Sequence, residues 1–125
     1  MKTIFVLDDD ADAAEVMAQG LTGHGREVRF FADPTRALAA LDDQAPDLLL
    51  VDLAMPFMGG LEVVRRARAK CPGCAVFLVS GADDLAELAE RGGYRYFRKP
   101  IDLARLRHAA EQVLGSDEAV QELHT

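Results

Sequence analysis

The sequence predicts an α/β protein built on a doubly wound, five-stranded parallel sheet. Short apolar runs alternate with segments of helical periodicity, which is typical of βαβ units. Three runs are continuously apolar, as central strands are, whereas the second and fifth mix charged and aromatic residues, as edge strands do. This pattern predicts the strand order 2-1-3-4-5. The runs are Ile4–Leu7, Val28–Phe31, Leu48–Val51, Ala75–Val79 and Tyr94–Phe97.

Helices are predicted between these runs from apolar spacing and capping signals. Asp33 followed by Pro34 indicates an N-cap and a proline at the first helical position, opening a helix through Leu41. Asp10 or Asp12 is the candidate cap of the first helix. The other periodic positions are Ala13, Val16, Met17 and Leu21; Leu61, Val64 and Ala67; and Leu103, Leu106, Ala110, Val113 and Leu114.

Length and composition narrow the class of protein. The chain has 125 residues, enough for one ordinary domain, and half of them are apolar. Its formal charge of -7 argues against nonspecific nucleic-acid binding. No apolar run reaches the length of a membrane span, and the first residues lack the apolar stretch of a signal peptide. We therefore expect a cytoplasmic protein.

Acidic side chains follow two neighbouring strands of the predicted sheet. Asp8 and Asp9 come directly after the first strand, and Asp52 directly follows the third. Because these strands are adjacent where the two winding directions meet, the three carboxylates lie at one end of the sheet. Such proximity raises the pKa of at least one carboxyl group unless a cation intervenes. Oxygen ligands in a partly open site suit Mg²⁺.

A hydroxyl group and an ammonium group fall on the same rim. Ser80 ends the fourth strand, and Lys99 ends the fifth. Opposite a metal ion, these two groups suit the free oxygens of a phosphoryl group. A carboxylate can itself be the nucleophile that accepts a phosphoryl group, and Asp52 is central in the crevice. Asp52 is therefore the natural acceptor.

Four motifs together resemble the receiver domain of response regulators in bacterial two-component signalling, of the chemotaxis-regulator-like kind. LDDD resembles the acidic pair after strand 1, and VDLAMPFMGG resembles the phosphoacceptor loop D-x-x-M-P-x-M-x-G. VSG resembles the family's Ser/Thr followed by a small residue, and YFRKP its Lys-Pro after strand 5. The similarity covers residues 3 to 114, and four motifs in order make it specific. It implies a flavodoxin-like (βα)5 fold.

The resemblance implies that a histidine kinase or phosphotransfer protein phosphorylates Asp52 in a reaction that needs Mg²⁺ or Mn²⁺. Asp9 and Asp52 would ligate the metal, together with the backbone carbonyl of Ala54 and, through water, Asp8. No other enzymatic activity is implied beyond self-phosphorylation from a donor and slow autodephosphorylation.

The resemblance also implies a switch. Ser80 would move to the phosphoryl oxygens and Lys99 would pair with them, while the backbone N–H groups of Ala54 and Gly81 contact the same oxygens. Tyr96 matches the switch aromatic, which turns inward when Ser80 moves. The Lys99–Pro100 peptide is cis in the family, and X-Pro bonds are where the cis form is accessible.

Some features depart from the family's pattern. The stretch from Ser80 to Lys99 is shorter by about 3 to 4 residues, roughly one helical turn, so the fourth helix is short or distorted. Gly59 stands where the family usually has Asp or Asn. We expect residues 1–114 to form the receiver domain and 115–125 a C-terminal tail or the start of a linker. Residues 115–125 are too few for an effector domain, which leaves a stand-alone receiver or a fragment of a longer transcriptional regulator or hybrid kinase.

Plainer interpretations stand beside these. Asp8 and Asp9 alone could form a solvated turn, and Ser80, Lys99 and Tyr96 alone could be turn, surface and packing residues. Cys71 and Cys74 form a C-x-x-C pair that follows a helix, the opposite polarity to redox motifs, so we expect incidental thiols. An aspartate-nucleophile phosphatase would need an acid where Ala54 stands, and a phosphorylation-independent pseudo-receiver would not need the acidic set.

Overall fold

A computed structural model describes residues 1–23, 25–53, 59–81 and 92–115 of the chain. Its sheet has five parallel strands in the order 2-1-3-4-5, which confirms the predicted topology. The strands are β1 (Lys2–Leu7), β2 (Arg26–Phe31), β3 (Leu48–Asp52), β4 (Ala75–Ser80) and β5 (Arg95–Arg98). As predicted, β1, β3 and β4 are central and almost entirely buried, whereas β2 and β5 form the edges.

Four helices cover the sheet in the described part of the chain, α1 (Ala11–Leu21), α2 (Pro34–Asp43), α3 (Gly60–Lys70) and α4 (Leu103–Leu114). Asp33 caps α2 as predicted, accepting the Thr35 N–H at 2.9 Å. Of the two candidates for α1, Asp10 is the cap. The predicted short helix between β4 and β5 falls mostly on residues 82–91, which lie outside the described residues.

The two faces of the sheet bury separate apolar clusters, because successive side chains of a strand point to opposite sides. On β1, Phe5 and Leu7 pack with α2 and α3, whereas Ile4 and Val6 pack with α1 and α4. The central strands are therefore apolar on both faces, which explains their continuous apolar sequence. Polar chemistry is displaced to the strand ends, where each strand leaves the core.

No helix in the described ranges is long and apolar enough to cross a membrane.

Candidate functional site

Three carboxylates converge at the carboxyl ends of β1 and β3. Asp8, Asp9 and Asp52 each place one carboxylate oxygen within 4.8 Å of the others. Asp8 is 0% exposed and Asp52 is 3% exposed, whereas Asp9 is open to solvent. The predicted acidic cluster therefore forms, with two members inside the protein and one on its surface.

The strand register explains why these residues meet. Leu7 of β1 is paired with Val51 of β3, so Asp8 and Asp52 each come one residue beyond the same pair. Asp52 is in turn paired with Val79 of β4, one residue before Ser80. Because neighbouring parallel strands are in register, the residues at their ends lie together at the carboxyl end of the sheet. This is the point where the winding direction changes.

Lys99 supplies positive charge to this cluster. Its Nζ donates to Asp8 Oδ2 at 2.8 Å and to Asp52 Oδ2 at 3.4 Å. Its backbone N–H donates to the Ser80 carbonyl at 2.9 Å, which extends the pairing of β4 with β5 by one residue. The shorter contact to Asp8 was not predicted from the sequence, which had associated Lys99 with a phosphoryl group.

The charges of the site shift the pKa values of its groups. Burial raises the pKa of Asp8 and repulsion from Asp52 adds to this, although the Lys99 ammonium and the Asp10 N–H act in the opposite direction. Burial alone would lower the pKa of Lys99, but its contacts with Asp8 and Asp52 outweigh burial and raise it. The acidic cluster therefore carries an unfavourable negative charge that Lys99 compensates only in part.

The donor set fits Mg²⁺. Hard oxygen ligands from a few carboxylates beside a solvent-exposed position are what this ion binds in proteins. Asp8, Asp9 and Asp52 supply such oxygens, and a cation beside them would favour the ionised form of Asp8 against the burial that raises its pKa. Ala54, whose carbonyl was expected to complete the site, lies outside the described residues.

The other described residues that were predicted for the site lie at or near the carboxyl ends of β4 and β5. Ser80 is fully buried at the end of β4, and Gly81 follows it on the surface. Tyr96 is partly buried on β5, opposite Leu78, and packs against the cluster beneath α2 and α3. The Lys99–Pro100 peptide is cis, as the resemblance implied. The structure thus places Asp8, Asp9, Asp52, Ser80 and Lys99 around one edge, with Tyr96 nearby on β5.

Gly60 is a residue of this site that the sequence analysis missed. A Cβ atom at Gly60 would lie 2.5 Å from the Asp52 carbonyl oxygen and 2.5 Å from Leu53 Cα. At Gly59, which the sequence analysis singled out, a Cβ atom would meet nothing within 4 Å. The start of α3 therefore approaches the end of β3 so closely that only glycine fits. The glycine at the end of the D-x-x-M-P-x-M-x-G pattern was the available signal.

The cysteine pair lies elsewhere. Cys71 directly follows the C-terminus of α3, and the Cys74 N–H donates to its carbonyl at 3.2 Å. Both thiols are free and buried. Burial, followed by the proximity of Cys71, raises the pKa of Cys74 to about 12. The pair therefore follows the end of a helix, as inferred from the sequence.

Comparisons with known proteins agree with this geometry. Residues 4–111 match the family described as response regulator receiver domain. The chain is 32% identical over 118 residues to the DNA-binding transcriptional regulator NtrC of Azospirillum brasilense, covering 92% of this chain and 24% of NtrC. It is 36% identical over 101 residues to the DNA-binding response regulator MtrA of Mycobacterium leprae, covering 78% of this chain and 44% of MtrA.

Solved structures show the same fold. A CheY-like receiver domain protein from Methanospirillum hungatei superposes with a TM-score of 0.80 at 26% identity, covering 90% of this chain and 92% of that one. The chain spans less than half the length of the curated relatives described above. Since the family match covers most of the sequence, the chain belongs to the response regulator receiver domain family of two-component systems.

Proposed function

We propose that Asp52 is the phosphoacceptor of this receiver domain. The observation that carries the proposal is the convergence on Asp52 of two further carboxylates within 4.8 Å and of the Lys99 ammonium at 3.4 Å. An acceptor carboxylate needs a metal site beside it and a cation facing the incoming oxygens. The neighbours of Asp52 have the chemistry for both.

The reaction follows from these groups. A carboxylate oxygen of Asp52 attacks the phosphorus of a phosphohistidine donor, and the bond from phosphorus to the imidazole nitrogen breaks as an acyl phosphate forms. Asp8, Asp9, Asp52 and the Ala54 carbonyl would hold Mg²⁺ or Mn²⁺, which neutralises charge on the phosphoryl oxygens when bound. Lys99 and the backbone N–H groups of Ala54 and Gly81 would contact these oxygens. We propose no turnover of small molecules.

Phosphorylation then changes the contacts of Lys99 and Ser80. Before phosphorylation, the Lys99 ammonium donates to Asp8. A phosphoryl group on Asp52 would offer the Lys99 ammonium a stronger hydrogen-bond acceptor. The Ser80 hydroxyl would follow the same oxygens, and Tyr96 would move into the space that Ser80 leaves. The conformational change can be only as large as the difference in affinity between the two states.

The partners follow from the family. The donor would be a histidine kinase or phosphotransfer protein in the cytoplasm, and residues 1–114 would form the receiver unit, with 115–125 as a tail or linker. Its output would be a contact with another protein. A second candidate is the receiver part of a longer transcriptional regulator, favoured because NtrC and MtrA are described as DNA-binding proteins.

Acetyl phosphate tests the acceptor directly. We expect the wild-type protein to gain the mass of one phosphoryl group when incubated with acetyl phosphate and Mg²⁺, and to lose this gain with a chelator. The Asp52→Asn variant should gain nothing, while Asp33→Asn, a matched change at a helix cap, should behave as wild type. An unchanged mass for the wild type, or equal labelling of Asp52→Asn, would contradict the proposal.

A further inference from the structure

The outer side of β2, the β2 edge, presents backbone groups that no other strand in the described part of the chain uses. On its inner side β2 pairs with β1, and the Asp8 N–H donates to the Phe31 carbonyl at 3.1 Å at the end of this pairing. In a parallel pair, residues that bond the neighbouring strand alternate with residues whose N–H and C=O groups point away from it. Val28 and Phe30 therefore present their N–H and C=O groups at the β2 edge.

The β2 edge lacks features that commonly keep a strand from pairing with another chain. Natural edges are often protected by proline, by lysine or by a bulge. β2 has the sequence REVRFF, with neither proline nor lysine, and its six residues pair with β1 in an unbroken register. Phe30, whose backbone points outward, is 46% exposed. The edge is therefore open to a further strand.

Two exposed side chains of opposite charge, Glu27 and Arg29, flank Val28 on β2. Because they are two residues apart on a strand, both lie on the same face of the sheet. Within the described ranges, neither forms an ion pair. The neutral amide of Gln44 instead donates to Glu27 Oε1 at 3.3 Å and accepts from Arg29 at 3.2 Å. The strand thus carries one uncompensated charge of each sign, placed symmetrically about Val28.

A groove of about 680 Å³ lies beside the β2 edge, between β2 and α2. Phe30 and alanines of α2 contribute apolar surface to it. Its charged lining is balanced, with Arg29 and Arg36 on one side of the account and Asp33 and Asp43 on the other. A partner that is purely acidic or purely basic gains little from such a lining. The groove therefore favours an occupant that carries both signs of charge, as β2 itself does.

We propose that two copies of the protein associate through their β2 edges, as antiparallel neighbours related by a twofold axis at Val28. The Val28 N–H of each copy would donate to the Val28 carbonyl of the other, and each Phe30 N–H to the Arg26 carbonyl of the other. The two five-stranded sheets would then form one continuous sheet across the axis. A twofold axis closes the contact, so the product is a dimer and not a filament.

The side chains of β2 complement one another in this arrangement. Residues at equal distances from Val28 come opposite each other, so Glu27 of each copy faces Arg29 of the other. These are non-hydrogen-bonded pairs, in which opposing side chains lie closest. Phe30 would lie diagonally across from Val28 of the second copy, which would cover part of its exposed ring. The inference goes beyond the proposed function, since β2 holds none of the residues of the phosphoacceptor site.

Sedimentation velocity over a concentration series tests the proposal with two charge-reversal variants. We expect the wild-type protein to associate reversibly from monomer to dimer as its concentration rises. Glu27→Arg and Arg29→Glu should each weaken this association roughly tenfold, because both cross-strand pairs become repulsive. An equimolar mixture of the two variants should dimerise as wild type does, because each introduced side chain again faces an opposite charge. Glu15→Arg, at an exposed position of α1, is the matched control and should associate as wild type.

Amide hydrogen exchange of the wild-type protein locates the contact. The Val28 and Phe30 N–H groups should exchange more slowly in concentrated than in dilute protein, whereas the Glu27 and Arg29 N–H groups, which face β1, should not change. The proposal is wrong if wild type stays monomeric, if either variant alone associates as wild type does, or if the mixture stays monomeric. It is also wrong if concentration protects other strands or helices and not β2. Labelling by acetyl phosphate should be unaffected in both variants, so failure of one proposal is distinguishable from failure of the other.

Discussion

In the described part of the chain, two pairs of buried reactive side chains lie at opposite ends of the sheet. Asp8 and Asp52 follow β1 and β3 at the carboxyl ends of the strands, where Lys99 contacts both. Cys71 and Cys74 lie between α3 and β4, at the amino end of β4. The carboxylates contact an ammonium group, whereas the Cys71 and Cys74 thiols contact the carbonyl oxygens of Pro46 and Ala75.

Burial raises a pKa in both pairs, but with opposite chemical consequences. A raised pKa keeps the Cys74 thiol protonated, so it is a poor nucleophile and a poor metal ligand at neutral pH. The negative end of the α3 dipole, next to Cys71, also disfavours a thiolate. At Asp8, the same cost of burying charge favours binding of a cation. The position of a pair relative to strand ends and helix ends thus decides whether burial creates a site or inactivates one.

The largest effect is expected where the end of β3, at Asp52, meets the start of α3. Gly60→Ala should destabilise the protein by about 1–3 kcal/mol, because its Cβ atom would overlap the Asp52 carbonyl oxygen and Leu53. Urea denaturation measures the loss. Gly59→Ala is the matched control, since its Cβ atom would meet nothing within 4 Å. Equal stability of the two variants would show that α3 can move away from β3 without cost.

The next effect concerns the stability that the protein loses by burying negative charge in the acidic cluster. Without Mg²⁺, Asp8→Asn should be more stable than wild type by on the order of 1 kcal/mol, because a buried carboxylate near Asp52 becomes neutral. With Mg²⁺, the order should reverse, since the variant lacks one of the carboxylates proposed to hold the metal. Thermal unfolding with and without Mg²⁺ measures both effects, and Asp12→Asn on the surface is the control.

The pH dependence of Asp8 has a definite sign. Its folded-state pKa lies above the ordinary value of 3.8, so the stability that it contributes is fully present below pH 3.8. That contribution is lost as the pH rises through the higher folded-state pKa. Wild-type protein without metal should therefore lose stability over this window relative to Asp8→Asn. If the difference in stability between wild type and Asp8→Asn stayed constant with pH, the inferred cost of burying the Asp8 carboxylate would be contradicted.

Much of this site was predictable from the sequence because strand ends are local features. The apolar runs placed Asp8, Asp52, Ser80 and Lys99 after their strands, and parallel pairing then brought them to one edge. The sequence did not predict that Asp8 is buried while Asp9 is exposed, because this depends on how the chain turns into α1.

Contacts between residues far apart in the sequence were the other feature that the sequence did not predict. The hydrogen bond between Lys99 and Asp8 joins residues that are 91 positions apart in the sequence. Which carboxylate Lys99 contacts depends on distances that strand order alone does not give. Gly60 was missed for a similar reason, since its constraint comes from the backbone of Asp52 and Leu53 rather than from its own turn. Arg26 is a third case, because it begins an edge strand yet is buried beside Glu111 of α4.

A smaller effect is expected at the cysteine pair. Native protein at neutral pH should react with iodoacetamide only slowly, because the pKa of Cys74 is about 12 and both thiols are buried. In urea, both thiols should react, as mass spectrometry will show. The Cys71→Ala variant isolates Cys74, which should remain largely protected when folded, because burial is the larger cause of its raised pKa. Rapid modification of the folded wild-type protein would show that a thiol of the pair is reactive, as a redox role would require.

The smallest effect is expected on the surface of α3, where Glu62 in the first turn accepts hydrogen bonds from Arg65 and Arg66. The Arg65 and Arg66 guanidinium groups lower the pKa of Glu62 to about 2, from an ordinary value of 4.5. The stability that the ionised Glu62 side chain contributes is therefore present above pH 4.5 and is lost as the pH falls through about 2. Glu62→Gln should lower the urea midpoint slightly at pH 7, since exposed ion pairs contribute little.

The difference between wild type and Glu62→Gln should shrink as the solution is acidified, because the wild-type carboxylate is then neutralised as well. Glu15→Gln, at an exposed position of α1, is the matched control for removing one surface charge. If Glu62→Gln destabilised the protein as strongly as Gly60→Ala does, the first turn of α3 would depend on its charges as much as on its fit against β3. The close approach of Gly60 to Asp52 and Leu53 would then not distinguish the start of α3 from an ordinary helix start.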